Sequence, residues 1–320
     1  MGGDKGYVAT VPAVLSFLSS HPLDEYYLVG TNETLSFVKD QKNIHKSLAK
    51  EVLAMDADPL SSLHATDSSL YIAFKTFLDE KADCLISAGS SAAILSFGVM
   101  KVKRLKGVTR PAFITSMPTI KKGVKFVALD LGANSENTAT ELYQFAKMGE
   151  IYYRVVYGKD RPLVGLLNNG TESDKGNSVT KEAYKLIEGD KEIHFIGNVE
   201  GRTPLYGGVD VLVMDGFSGN VFLKTTEGSC KAMSDLIKKA FKRNLLSKIG
   251  YLLTHRGIVE MKETMDYKNV GGAMLLGVDG VIVKAHGNSD EKSFYSSIAV
   301  AYESAKKGIL KGIKEELEKI

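Results

Sequence analysis

One feature constrains this chain above all others. Short apolar, β-branched runs end, one after another, in clusters of Gly, Asn, Asp and Ser. Cys84–Ser87 runs into Ala88-Gly89-Ser90-Ser91, and Val127–Leu129 into Asp130-Leu131-Gly132-Ala133-Asn134. Val164–Leu167 runs into Asn168-Asn169-Gly170, and Phe195-Ile196 into Gly197-Asn198-Val199-Glu200-Gly201. Val211–Met214 leads to Asp215-Gly216-Phe217-Ser218-Gly219-Asn220, and Val281–Lys284 to Ala285-His286-Gly287-Asn288-Ser289-Asp290. Helical patterns separate the runs, at Ser68–Lys81, Ser91–Leu105, Thr138–Tyr153 and Ser178–Ile187. Strands are predicted at Tyr26–Val29, Cys84–Ser87, Ala112–Thr115, Lys125–Leu129, Leu163–Leu167, His194–Gly197, Val209–Met214 and Gly280–Lys284. Several are almost continuously apolar, as strands buried on both faces must be. The alternation predicts an α/β chain with a mostly parallel sheet in a three-layer α/β/α arrangement.

In such sheets ligands bind beyond the carboxyl ends of the strands. Small residues there expose backbone N–H groups, and the helices that follow aim their positive ends at the same crevice, which suits an anion. Ordinary βα turns use the same residue types, so one cluster alone says little. Six of them at strand ends, with Asn recurring, predict a binding site.

Composition removes other classes. Lys and Arg exceed Asp and Glu by 41 to 38, so bulk charge gives no argument for nucleic acid. No run of 18 apolar residues is present, and the first residues lack the apolar core of a secretory leader. Two cysteines, Cys84 and Cys230, are too few for a disulfide framework or a zinc site, and a cytoplasmic location is expected. No Pro/Ser-rich linker or internal repeat divides the chain, so residues 1–320 are expected to form one catalytic domain. The nucleotide P-loop, the dinucleotide fingerprint and the serine-hydrolase elbow are all missing, and no pair of histidines has metal spacing. Cys84 lies inside a strand run and reads as a small core residue. The expectation is therefore a reaction without metal or cofactor, in which a substrate brings its own nucleophile.

Between Ser229 and Gly257 seven basic residues stand against one acid, Asp235, and apolar residues recur at Ile237, Phe241, Leu245 and Ile249. That pattern is a basic amphipathic helix or helix pair. It fits a dimer interface, an anionic membrane surface, an acidic partner protein, or a core-facing helix with a solvated basic side. Lys101, Lys103, Arg104 and Lys106 form a second basic cluster suited to steering an acidic partner.

An ordered set of motifs goes further. Met1-Gly2-Gly3-Asp4, Ile86-Ser87-Ala88-Gly89, Leu129-Asp130-Leu131-Gly132-Ala133-Asn134, Gly165-Leu166-Leu167-Asn168 and Lys175-Gly176-Asn177 occur in this order. They are followed by Gly197-Asn198-Val199-Glu200-Gly201, Asp215-Gly216-Phe217 with Gly219-Asn220, and Gly271-Gly272-Ala273 through Lys284-Ala285-His286-Gly287. Together these closely resemble the PlsX family, the phosphate acyltransferases of bacterial phospholipid synthesis. The resemblance implies transfer of a long acyl chain from acyl carrier protein to inorganic phosphate. The product would pass to a glycerol-3-phosphate acyltransferase. It also implies a fold related to phosphotransacetylases and to isocitrate and isopropylmalate dehydrogenases, a homodimer, association with the inner membrane face, and the dimer- and membrane-contacting role for the segment at about 229–257.

The same resemblance implies Lys175 and Asn220 as the catalytic pair. Lys175 would hold phosphate as a point charge; without the resemblance it reads as a solvated loop lysine. Asn220 would donate to the developing oxyanion, where it reads otherwise as the cap of a helix beginning near Val221. Asn134, Asn168 and Asn198 are expected as further polar contacts, with turns and caps as the competing role. Asp4, Asp215 and Glu200 are expected to orient donors, since a carboxylate touching phosphate would repel it. Ser87, Gly89, Asn177 and Gly216 belong to the motif set, and Lys224, Lys284 and His286 would add donors or positive potential. Family members differ in three places. A short strand precedes their Met-Gly-Gly-Asp, so a first strand is expected to be absent from this sequence. Lys5-Gly6-Tyr7 replaces His-Ala-Pro, and Ser90-Ser91-Ala92 replaces Asn-Thr-Gly. Three other readings remain: a short-chain phosphotransacetylase using acyl-coenzyme A, a nicotinamide-dependent decarboxylating dehydrogenase, and an inactive membrane-associated scaffold.

Overall fold

A computed structural model describes residues 2–264 and 271–317. Met1, the start of the first motif, lies outside them. The strands are β1 (Tyr26–Gly30), β2 (Ile44–Leu48), β3 (Cys84–Ser87), β4 (Ala112–Pro118), β5 (Lys125–Leu129), β6 (Val164–Leu167), β7 (Phe195–Val199), β8 (Val211–Val213), β9 (Ala273–Leu276) and β10 (Val281–Lys284). Helices α1 (Tyr7–Ser20), α2 (Asn32–Ser36), α3 (Pro59–Ser62), α4 (Ser69–Asp79) and α5 (Ser91–Phe97) belong to the first part of the chain. They are followed by α6 (Ala139–Tyr157), α7 (Ser178–Gly189), α8 (Gly216–Lys242), α9 (Leu245–Thr264), α10 (Glu291–Lys306) and α11 (Ile309–Leu317).

Eight strands form one sheet in the order β3-β10-β9-β4-β5-β8-β6-β7. The pairs β3·β10, β5·β8, β8·β6 and β6·β7 are parallel, as the alternation predicts. Three pairings through β4 and β9 are antiparallel, a departure that the βαβα rhythm does not announce. Their effect is decisive for the site. The first half of β4, Ala112–Ile114, pairs with β9, and its second half, Thr115–Pro118, pairs with β5. Two half-sheets thus hang from opposite ends of one strand. Leu129 at the end of β5 pairs with Val213 of β8, and the next residue, Asp130, accepts a hydrogen bond from the Phe113 N–H. From the other side, Lys284 at the end of β10 pairs with Ser87 of β3 and with Ala273 at the start of β9. The carboxyl ends of both half-sheets therefore converge on the middle of β4.

Burial explains the apolar runs. In β5, Val127 and Leu129 enter a core with Phe145, Met148 and Ile151 of α6, while Phe126 and Ala128 enter a second core with Leu212 and Met214. Alternate residues face opposite sides of a strand, so a strand covered on both faces shows no polar alternation. A third core gathers Phe74, Phe97, Leu275 and Ile282. Strands β1 and β2 form a separate parallel pair. Among the described residues β1 and β3 do not pair, and a cavity of about 770 Å³ is lined by residues of both strands and by Gly2.

Two local expectations, for α5 and for the start of α8, need correction, strand β2 was not read, and of the expected helix or helix pair the pair is present. Helix α5 stops at Phe97 and passes into a wider turn over Gly98–Val102 instead of continuing to Leu105. Strand β2, reading IHKSL, has no continuous apolar signal because one edge and much of its face are exposed. Helix α8 begins at Gly216, not near Val221, and its cap is Asp215, whose carboxylate accepts from the Ser218 N–H at 2.9 Å. Asn220 is therefore not the cap. The apolar stripe Ile237, Phe241, Leu245 and Ile249 crosses a helix break, with its first two residues on α8 and its last two on α9.

Candidate active site

The site is assembled where the carboxyl ends meet. Asp130, fully buried after β5, accepts four hydrogen bonds, from the N–H groups of Phe113, Ala133 and Asn134 and from Asn134 Nδ2, at 2.9–3.0 Å. Burial raises its carboxyl above the ordinary carboxylate range, and these donors oppose that rise only in part. They hold the Asp130–Asn134 turn as a fixed shelf. Helix α8 lies directly on that shelf: a Cβ on Gly216 would fall onto the Asn134 carbonyl oxygen, and one on Gly219 onto the Asp130 carbonyl oxygen. Only glycine permits so close a backbone approach. We expect Gly219→Ala to cost about 1–3 kcal/mol through overpacking, read as a lowered melting temperature, and to displace the start of α8.

Asn220 follows on the same turn of α8 and packs over Gly132. One turn further, Lys224 Nζ lies 3.2 Å from His286 Nε2 and 3.1 Å from Glu227 Oε2. This contact bridges the two half-sheets, because His286 follows β10. Burial and then Lys284 and Lys224 push the His286 imidazole down, while its Nδ1 faces the Asn288 N–H at 3.4 Å. Asp4 joins from the first loop, its N–H donating to the Gly287 carbonyl at 2.7 Å. Ser87 Oγ accepts from the Gly89 N–H at 3.1 Å, shaping the turn after β3 on which Gly2 packs.

Lys175 sits on the same rim after β6, the strand beside β8. Asn168 Nδ2 holds the Lys175 carbonyl at 3.1 Å, and Asn198 Nδ2 holds the Glu172 carbonyl at 2.7 Å. The Asn198 Oδ1 is buried without a partner. Gly176 takes φ +90, turning the chain sharply into α7, which Asn177 caps through the Thr180 N–H at 2.9 Å. The Lys175 side chain folds back over Gly170. Loop and helix α8 meet where Leu167 and the ring of Phe222 both approach Gly201. Among the described residues no hydrogen bond or ion pair joins Lys175 to Asn220.

The remaining expected residues have structural engagements. Asn134 Nδ2 also donates to the Pro111 carbonyl, inside the protein. Glu200 holds Arg202 through two bonds of 3.0 and 2.7 Å. Asp215 is spent on its cap, and the Gly216 N–H donates to Asn137 Oδ1. Cys84 is half-buried, and burial pushes its thiol up to about 12, consistent with a packing residue. Sequence reading missed Asp130 as the organiser of the rim. Its signal was a lone acid between apolar β5 and a Gly-Ala-Asn turn.

A family model described as "Fatty acid synthesis protein" matches residues 1–311. The chain is 39% identical over 325 residues to a phosphate acyltransferase of Clostridium perfringens, covering 100% of this chain and 95% of that protein. It is 39% identical over 322 residues to that of Campylobacter jejuni, covering 100% and 97%. The chain belongs to the phosphate acyltransferase family. It is accordingly an acyltransferase. The fold is shared more widely. A phosphotransacetylase from Streptococcus pyogenes superposes with a TM-score of 0.59 at 16% identity, over 93% of this chain and 90% of its own. A branched-chain phosphotransacylase from Enterococcus faecalis gives 0.59 at 13%, over 93% and 96%.

Proposed function

We propose that this acyltransferase moves a long acyl chain from acyl carrier protein to inorganic phosphate, at the rim between Lys175, Asn220 and Lys224. Phosphate is already an anion at neutral pH, so it attacks the thioester carbonyl without a serine or cysteine intermediate. The new O–C bond leaves a tetrahedral oxyanion, which collapses as the C–S bond breaks and the carrier's thiolate departs. The protein's task is to hold phosphate near the carbonyl and to donate to the oxyanion. Lys175 supplies the charge for the first, and Asn220, a neutral amide donor, serves the second.

The helical hairpin supports the long-chain, membrane-proximal part of this reading. Among the described residues α9 buries none of its side chains, and Leu245, Leu246, Leu252 and Leu253 are 74%, 79%, 74% and 83% exposed. Beside them stand Lys239, Lys242, Arg243, Lys248 and Arg256. Such a surface fits a second copy of the chain and an anionic membrane to which a greasy product must be delivered. No helix among the described residues is long and apolar enough to cross a membrane. A partner that consumes acyl phosphate, a glycerol-3-phosphate acyltransferase, would work from that surface.

The observation that carries the proposal is the chain-long family match joined to a constellation of Lys, Asn and His at one rim. The test compares acyl donors. Palmitoyl carrier protein plus phosphate should yield an acyl phosphate trapped by hydroxylamine, far faster than acetyl-coenzyme A does. Faster turnover of acetyl-coenzyme A would favour the short-chain reading. Liposome binding without turnover of either donor would favour the scaffold.

A further inference from the structure

Lys147 is buried and Lys284 half-buried at the site rim, and the two differ. Lys147 on α6 is held by Asp190 at 2.9 Å and Glu192 at 3.4 Å, and lies over the Tyr143 ring. That is how a lysine serves a structural purpose inside a protein, with its charge paired. Lys284 ends β10 at the site rim. Its ammonium has no hydrogen bond or ion pair among the described residues. Burying a charge without a direct partner costs stability, and the carboxylates of Glu227 and Asp4, which act on it without a hydrogen bond or ion pair among the described residues, offset that cost only in part.

We propose that Lys284 is a phosphate-binding residue of the active site, its ammonium joining Lys224 beside His286 to hold the phosphate that accepts the acyl group. This rests on the phosphate acyltransferase reading of the site. The placement supports it: Lys284 and His286 come from one half-sheet and Lys224 from the other, so an anion bound among them would tie the two halves together. Four groups face Lys284: Lys224 and Glu227 from α8, His286 from its own strand end, and Asp4 from the first loop. Glu227 is engaged by Lys224. Three N–H donors on Lys284 therefore remain for a ligand.

Burial, then Lys224, lowers the Lys284 ammonium from the ordinary lysine value to about 8, against the pull of Glu227 and Asp4. The folded value lies below the unfolded one. Around pH 7 the lysine is charged in both states and the cost of burial is fully present. The cost is relieved as pH rises through about 8 towards the ordinary lysine value. A bound phosphate would hold the proton on, so phosphate binding should weaken above pH 8.

The test is Lys284→Met, which keeps length and removes charge. Phosphate binding to the resting protein is measured by calorimetry with inorganic phosphate alone, across pH 6.5–9. Steady-state kinetics then give KM for phosphate and for palmitoyl carrier protein. The expected result is at least about a tenfold loss of phosphate affinity and a matching rise in its KM, with the donor KM unchanged. The variant should melt no lower than the parent and should lose the weakening of binding above pH 8. Lys284→Arg should recover part of the affinity. Unchanged phosphate binding overturns the proposal. So does a rise confined to the donor KM, which would place the donor's own phosphodiester at Lys284. If the parent protein makes no acyl phosphate, the functional reading fails, while the calorimetry still decides whether Lys284 binds phosphate.

Discussion

Lys175→Ala should lower the rate of acyl phosphate formation about 100–1,000-fold, the range observed when one preorganised electrostatic contact is removed from a transition state. The fold should survive the change. The loop that carries Lys175 is held through backbone groups and neighbours: Asn168 binds the Lys175 carbonyl, Asn198 binds the Glu172 carbonyl, and Asn177 caps α7. The lysine side chain contributes no hydrogen bond to this framework among the described residues. Truncation should therefore shift stability by no more than about 0.5 kcal/mol. Lys175→Arg should restore only part of the rate, because a planar fork does not replace a compact point charge. Hydroxamate formation from trapped acyl phosphate measures the rate, and thermal melting measures the fold. A Lys175→Ala variant within threefold of the parent would remove this residue from the mechanism.

The parts of this molecule that could be read in its sequence are those whose physics is local. β3 and β5 carry apolar runs bounded by turn residues, and their predicted limits coincide with the observed ones. The helix expected over Thr138–Tyr153 is present and runs on to Tyr157, fixed at its start by a capping box with Glu141 and ended at Gly158, where the chain turns left-handed at φ 69. β9 was not read because its apolar run, Ala273–Leu276, is short and gains its identity only by pairing with β4 and β10. The long helix α1 hides behind Pro12, which a local rule takes as a breaker although it falls in the second turn. The site shows the same division. The Gly/Asn/Asp clusters identify the rim, but not which side chains are free. Asn134 and Asp215 carry the residue types of a binding site and are used as struts. Lys284 looks like an ordinary strand-end lysine until its surroundings are known.

Asp130→Asn should be the most damaging single-atom change in the chain. Oδ1 of Asp130 accepts from Phe113 and Ala133, and Oδ2 accepts twice from Asn134. An amide offers one acceptor oxygen and two donors. Whichever way it turns, two buried donors face an NH2 group. Each unsatisfied buried group costs about 1–3 kcal/mol, so a loss of about 2–5 kcal/mol is expected, a large part of the stability of an ordinary domain. The damage should also reach the chemistry. Gly216 and Gly219 rest on the Asp130–Asn134 turn, and Asn220 packs over Gly132 in the same turn. A relaxed turn moves the start of α8, and with it Asn220 and Lys224. Turnover per folded molecule should fall along with the denaturation midpoint, while the slope of the urea transition stays unchanged. A variant with the parent's midpoint would mean that the shelf under α8 is held by something other than this carboxylate.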